Sequence, residues 1–299
     1  METVFDPALL SVLSVFPKRL ADPAAEACIG NTAEEIRLRV GRPPQIVFSN
    51  GDKLIAGVLF SSEDAADLID RLCRHSVYAH EEELKQGFIT FSGGTRIGIC
   101  GRPVIENGTV SRFRNVSSFN IRLPHEAIGC AESLMGSFTE HSFPVSSLII
   151  APPAGGKTTL LRDIVRCLSS GIGAAPNKVC LADERGEIAG CIDGLPSFEI
   201  GTRTDVMELM PKSEAVSVFI RTMSPDVIVT DEIGGRADAD AVAEAARCGV
   251  AVIATAHASC TEELYSRSSL RAVVETGVFK RILLLRRHGN KLRIFPVRS

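Results

Sequence analysis

The sequence predicts an α/β protein in two parts, a mostly parallel sheet covered by helices on both faces, preceded by a smaller α+β domain. Three observations carry this. Beyond residue 145, short apolar runs at 148–151, 178–182, 227–230 and 250–255 alternate with helical patterns, as strands joined by crossover helices do. Before residue 140, alternating strands meet at Gly-Gly and Asn-Gly pairs, which builds hairpins. Between these halves, residues 148–168 read as a buried strand, a tight Gly-rich loop and an amphipathic helix opened by Lys157-Thr158-Thr159. The boundary is placed around Pro144, giving domains 1–140 and 145–299.

Taken in order, Val4, Phe5, Leu9, Leu10, Leu13, Val15 and Phe16 form an apolar helical stripe closed by Pro17, expected to pack on its own domain. Residues 35–40 alternate as a strand, Gly41-Arg-Pro-Pro turns, and 45–48 followed by Asn50-Gly51 reads as a strand and a hairpin turn. Residues 62–75 form a helix with Ser62 as N-cap and Ala65, Leu68, Ile69 and Leu72 on one face. Residues 89–100 are two strands around a two-residue Gly93-Gly94 turn. A further turn is expected at Asn107-Gly108, a strand at 118–124, and a connecting helix at 126–138. In the second half, helices are expected near 212–223 and 237–247, and a hairpin closes the chain at 280–297.

Composition narrows the class. At 299 residues the chain has room for two domains and a sizeable core. With 45% hydrophobic and 23% charged residues it is globular rather than disordered. A net charge of −3 gives no global attraction to nucleic acid or an anionic membrane, so any basic site must be local. Nine cysteines, odd in number and without a C-x-x-C pair, fit neither a disulfide framework nor a common zinc spacing. They read as reduced, mostly buried thiols of a cytosolic protein. Residues 1–20 carry Glu2 and Asp6 and no basic region ahead of an apolar run, unlike a signal peptide. No apolar run approaches the roughly 18–20 residues that span a bilayer, so membrane contact is expected to be peripheral.

The chemistry concentrates in four places. The loop Pro153-Ala154-Gly155-Gly156 with Lys157, Thr158 and Thr159 is a phosphate-binding pattern, since unpaired N–H groups of a helix start and the helix dipole favour a polyphosphate. Lys157 would bridge β- and γ-phosphates of ATP, and Thr158 would sit on Mg²⁺. The pattern departs from G-x-x-x-x-G-K-[ST] at Ala151, which is tolerable if φ there is negative. The apolar strand 227–230 ends in Asp231 and Glu232: Asp231 would hold the Mg²⁺ shell, and Glu232 could orient or deprotonate the attacking water. Strand 178–182 also ends in acids, Asp183 and Glu184, facing the same crevice, so Glu184 is a second candidate base; a local ion pair with Arg185 competes with that role. His257 lies just past a third strand, placed to sense a γ-phosphate or bond an acid.

Together these elements resemble the secretion ATPase superfamily, the hexameric motors of type II and type IV secretion and pilus retraction. The resemblance rests on the Gly-rich loop, Asp183-Glu184, the run from Met223 to Gly234, and Thr255-Ala-His257. Glu81 to Thr90, Gly93 to Gly98 and Asp231 to Gly234 narrow it to a sporulation branch. Gly234-Gly235 stands where pilus-retraction motors carry Arg-Asp. The resemblance implies a RecA-like P-loop NTPase domain, a ring (a hexamer), and arginines of the N-terminal domain reaching over the nucleotide. The comparable positions are Arg96, Arg102 and Arg122, where a guanidinium fork suits γ-phosphate charge, although each also reads as a solvated strand face. Arg221, just before the strand at 227–230, is a further candidate, to act across a subunit boundary. The resemblance further implies a partner, the membrane-embedded channel between mother cell and forespore, with this chain on the mother-cell side. Two rival readings are a nucleic-acid translocase, favoured by the basic terminal hairpin but opposed by 5% aromatic residues and no Trp, and a nucleotide-gated assembly protein with little turnover.

Overall fold

The computed structural model describes residues 7–73, 80–106, 108–153, 155–192, 194–288 and 291–297. It divides into two compact units, Met1–His125 and Glu126–Ser299.

The first unit is an antiparallel sheet with helices. Strands β1 (Ala33–Arg39), β2 (Gln45–Phe48), β3 (Gly51–Leu54), β4 (Phe88–Phe91), β5 (Thr95–Glu106) and β6 (Thr109–Arg122) lie in the order β3-β2-β1-β6-β5-β4. A register shift between Ala33 and Glu35 brings Ala33 to the buried side with Ile36 and Leu38. Helices α1 (Pro7–Val15), α2 (Lys18–Ala27) and α3 (Ser62–Leu72) send Leu9, Val12, Leu13, Leu20 and Leu68 into one apolar cluster with Ile36, Ile46, Ile97 and Ile121. The first helix thus packs on its own domain. A short α4 (Glu81–Lys85) precedes β4.

Local chemistry shifts several expected boundaries. Ser61, not Ser62, caps α3, because Asp64 completes a reciprocal capping box with it. Phe91 pairs with Thr95, so the hairpin loop is the three residues Ser92–Gly94, in which Gly93 and Gly94 have φ of 71° and 72°. Phe48 pairs with Gly51, which makes Ser49-Asn50 the turn and puts Gly51 in the strand. Val4 and Phe5 of the first stripe, residues 74 and 75 of the helix expected at 62–75, and Asn107 of the next turn lie outside the described residues.

In the second unit, β9 (Ser147–Ala151), β10 (Val179–Asp183), β11 (Thr204–Glu208), β12 (Val227–Thr230), β13 (Ala251–His257) and β14 (Arg281–His288) are parallel, and β15 (Lys291–Pro296) closes an antiparallel edge. The order is β11-β10-β12-β13-β9-β14-β15. One apolar cluster packs α5 (Lys157–Ser170) on one side of the sheet through Leu160, Ile164 and Leu168. A second packs α6 (Lys212–Thr222) and α7 (Arg236–Arg247) on the other through Val216, Phe219 and Val242. Helices α8 (Thr261–Ser266) and α9 (Ser268–Glu275) follow β13. The stretch 126–138 is not the expected connecting helix. Only Glu132–Ser137 coils, as a 3₁₀ turn, and β7 (Thr139–Glu140) and β8 (Phe143–Pro144) follow it. Ala131, Met135 and Phe138 enter the second unit's core, so the polypeptide from Glu126 onward packs with the parallel sheet.

All nine cysteines are free thiols. Burial pushes Cys130, Cys180 and Cys191 up to about 12, so none of these three is a thiolate near neutrality. No described helix is long and apolar enough to cross a membrane.

Candidate functional site

Strand β9 is buried throughout and delivers the chain into the loop 152–156 at the carboxyl edge of the sheet. Ala151 is still strand: it pairs with His257 and is absent from the positive-φ positions, so the departure from Gly leaves the backbone undistorted. Gly155 cannot be anything else, because a Cβ there would lie 2.9 Å from both the Ala151 Cβ and the Pro152 carbonyl. Gly156, at φ 85°, turns the chain into α5, whose start no side chain caps. An uncapped helix start behind a Gly-rich turn presents N–H groups to an anion. Pro153 is exposed, Thr158 and Thr159 are half-buried in the first turn, and Ala154 lies outside the described residues.

Lys157 is only 8% exposed. Its ammonium donates to the carbonyls of Ala151 and Pro152, both at 3.1 Å, and meets His257 Nδ1 at 2.9 Å. Burial holds its pKa below the usual lysine range, against the pull of Glu232. Since an ammonium is purely a donor, Nδ1 of His257 accepts and Nε2 carries the ring proton, which faces Glu232 Oε1 at 2.9 Å. The other oxygen of Glu232 pairs with Arg185 at 2.7 Å. Four side chains from three strand ends and the Gly-rich loop therefore form one continuous line, Lys157–His257–Glu232–Arg185.

The second candidate base sits elsewhere in the same crevice. Glu184 pairs with Lys212 at 3.0 Å. The expected local pair of Glu184 with Arg185 is not the one made, because Arg185 turns to Glu232 across the strand ends. Asp183 spends both oxygens on the N–H groups of Glu187, Ile188 and Ala189 and so fixes the loop after β10. Burial raises its pKa to about 6, in spite of those three donors and with Asp231 adding to the rise.

Asp231 is 5% exposed, and burial raises its pKa despite Lys212 and Arg185. Its Oδ1 is buried with no hydrogen-bond partner, and Lys212 Nζ stands 3.5 Å away. One carboxylate oxygen in want of a partner, with the Thr158 hydroxyl at the helix start, fits a hard divalent cation that takes its remaining oxygens from water and phosphates. No cluster of three or more His, Cys, Asp or Glu among the described residues could hold a metal alone.

The three arginines proposed from the N-terminal domain all lie in the first unit. Arg96 stacks on the Phe88 ring at 4.0 Å, Arg122 is 3.5 Å from Glu35, and Arg102 is exposed opposite Arg114 on the long β5–β6 hairpin. Sequence reasoning missed Lys212 and the partner of Arg185. A lysine directly after Pro211 at the first position of a helix, where the dipole repels it, was the available signal.

Residues 15–297 match the model of a family described as "Sporulation stage III, protein AA". Stage III sporulation protein AA of Bacillus subtilis (strain 168) is 42% identical over 255 residues, which cover 85% of this chain and 82% of that protein. Among solved structures, the ATPase DotB of Legionella pneumophila aligns with a TM-score of 0.62 at 15% identity, over 98% of this chain and 82% of its own. The pilus retraction motor PilT, solved with bound ADP, gives 0.61 at 15% identity over 91% and 80%. At these identities the structural likeness is one of fold, a secretion ATPase fold with a RecA-like parallel sheet.

Proposed function

The chain belongs to the sporulation stage III protein AA family, and from that premise we propose that it is a Mg²⁺-dependent ATPase of the secretion type. The observation that carries this reading is the line Lys157–His257–Glu232–Arg185. It gathers at one sheet edge a lysine behind a Gly-rich loop, a carboxylate and a neutral imidazole, which is what positioning a triphosphate and a water requires.

In this reading the phosphates replace the Ala151 and Pro152 carbonyls and His257 as partners of Lys157. His257, released at Nδ1, keeps Nε2–H on Glu232 and reports phosphate occupancy to the acid. Arg185 leaves Glu232 for the developing γ-phosphate charge, and a Glu232 oxygen is then free to accept the proton of the attacking water. Thr158 and Asp231 would hold Mg²⁺, which would supply neutralisation of phosphate charge when bound. Arg96, Arg102 and Arg122 are proposed to close over the same phosphates, so that turnover opens and closes the two units.

By family, the working form is proposed to be a ring, a hexamer, on the cytoplasmic, mother-cell side of the channel between mother cell and forespore. There hydrolysis drives assembly of that channel or transport through it. The occupation of both Glu232 oxygens also favours a second reading, a nucleotide-gated assembly protein with little turnover.

Phosphate release with Mg-ATP over a range of protein concentrations, with and without single-stranded DNA and beside Lys157→Ala, separates these. Turnover per subunit that rises with concentration, ignores DNA and falls roughly 100-fold or more in Lys157→Ala is expected. Nucleotide binding without release at any concentration would favour the gated protein, and stimulation by DNA a translocase.

A further inference from the structure

Lys212 opens α6 directly after Pro211 and is 8% exposed. Two physical rules oppose a lysine there. The start of a helix carries positive partial charge and repels a cation, and a buried ammonium is tolerated only where its protons are taken up. The surroundings of Lys212 answer both. Its Nζ donates to the carbonyls of Asp231 at 3.2 Å and Glu232 at 3.0 Å, and it lies 3.0 Å from Glu184 Oε2 and 3.5 Å from Asp231 Oδ1. Four oxygens surround three protons.

Two of those oxygens have a special place. The Asp231 and Glu232 carbonyls belong to the two peptide units that flank the Glu232 Cα, so one ammonium bridges the bonds that define φ and ψ of that residue. Glu232 has φ of 25°, a conformation a non-glycine residue keeps only where its surroundings impose it. From the other side the Glu232 N–H donates to Thr255 Oγ1 at 2.8 Å and the Ile233 N–H to the Thr255 carbonyl at 2.8 Å. Between these clamps the carboxylate is aimed at His257 and Arg185. The carboxylates of Glu184 and Asp231, 3.0 and 3.5 Å from Lys212 Nζ, also share its charge.

We propose that Lys212 is a positioning residue of this site: bridging both peptides around Glu232, it holds the strained turn that aims the Glu232 carboxylate and is the resident counter-ion of Asp231 and Glu184. The catalytic consequence rests on the ATPase reading given above; the structural one does not.

The test compares full-length wild type, Lys212→Met and Lys212→Arg by hydrogen exchange of residues 231–234, by binding of a fluorescent ATP analogue, and by kcat and KM for Mg-ATP. In Lys212→Met, exchange at the Glu232 and Ile233 amides is expected to quicken about tenfold while 227–230 stay protected. Its kcat is expected to fall about 100-fold with KM and analogue affinity within about threefold, because aim rather than binding is lost. Recovery of part of kcat in Lys212→Arg would support the counter-ion role. Exchange at 231–234 equal to wild type, or a kcat within about twofold of it, would overturn the proposal. If wild type itself releases no phosphate, the ATPase reading falls, and the exchange comparison still decides whether Lys212 holds the turn. Should Lys212→Met not fold, Lys212→Gln, which keeps two N–H donors, is read in the same way.

Discussion

At the scale of single residues, the site depends on what each oxygen and nitrogen is already bonded to. Glu232 offers a carboxylate held between an imidazole and a guanidinium, whereas Glu184 is committed to Lys212. Glu232→Gln is therefore expected to bind ATP and to lose about 10²–10⁴ in turnover, with Glu184→Gln losing far less; equal losses in a phosphate-release assay would move the base role to Glu184. His257 touches both Lys157 and Glu232, so His257→Ala is expected to lower kcat about 100-fold through misplacement, with ATP affinity nearly kept. Affinity loss without a change in kcat would sink that role. Most of these residues were legible in the sequence because each follows an apolar run, and a strand end at a parallel edge is where such groups meet. Lys212 and the redirected Arg185 were not, since their partners lie 19 and 47 positions away in sequence (231 − 212 and 232 − 185) and only the folded sheet brings them together.

At the scale of elements, α5 forms where the sequence reads a helix, but its charged face is not left to solvent. Its periodicity reads as amphipathic, yet Arg162, Asp163 and Arg166 are buried along with Leu160 and Ile164. The reason is that irregular segments cover them: the stretch after Glu126 satisfies Asp163 and Arg166, and the stretch after β10 satisfies Arg162. Asp163 accepts the N–H groups of Gly129 and Ala131 and pairs with Arg166, which reaches Glu132. Arg162 donates to the Glu187 and Ile188 carbonyls and stacks on Phe198. Polar partners supplied by loops leave no periodic trace, which is why 126–138 looked like a helix. Asp163→Ala leaves Arg166 partly uncompensated and is expected to cost about 3–5 kcal/mol, read from the denaturant midpoint; a cost under about 1 kcal/mol would deny the segment its anchor. Burial alone would raise the Asp163 pKa, but Arg166 and the two N–H groups hold it below the usual value. With more protons bound in the unfolded chain at low pH, this contribution is present near neutrality and fades as pH falls below the ordinary carboxylate range. Asp183 has the opposite sign. Its folded pKa of about 6 means that the folded chain binds the extra proton, so its contribution is present below the ordinary carboxylate pKa and is lost as pH rises through about 6. A side-chain carboxyl titration midpoint below about 4, the reference value, would contradict the buried placement. Strand β11 also escaped the sequence reading, being a short edge strand whose Thr204, Asp205 and Glu208 mask any apolar alternation.

At the scale of the whole molecule, the two-part architecture was legible because its halves obey different rules, hairpin turns in one and crossover helices in the other. The division after His125 was less so, since the segment beyond it carries its apolar residues at irregular spacing into the second core. The first unit has one apolar cluster and the second has two, one on each side of its sheet, so each unit carries its own core. If the N-terminal arginines close over the nucleotide, Arg102→Ala and Arg122→Ala together are expected to reduce kcat at least about 100-fold while each unit keeps its stability; unchanged turnover would remove the first unit from catalysis. The most direct test of the account is single-turnover hydrolysis of Mg-ATP by wild type and Glu232→Gln, at a protein concentration where wild-type turnover per subunit has stopped rising. The account expects wild type to release phosphate and Glu232→Gln to retain uncleaved ATP. Equal phosphate release by the two proteins would contradict it.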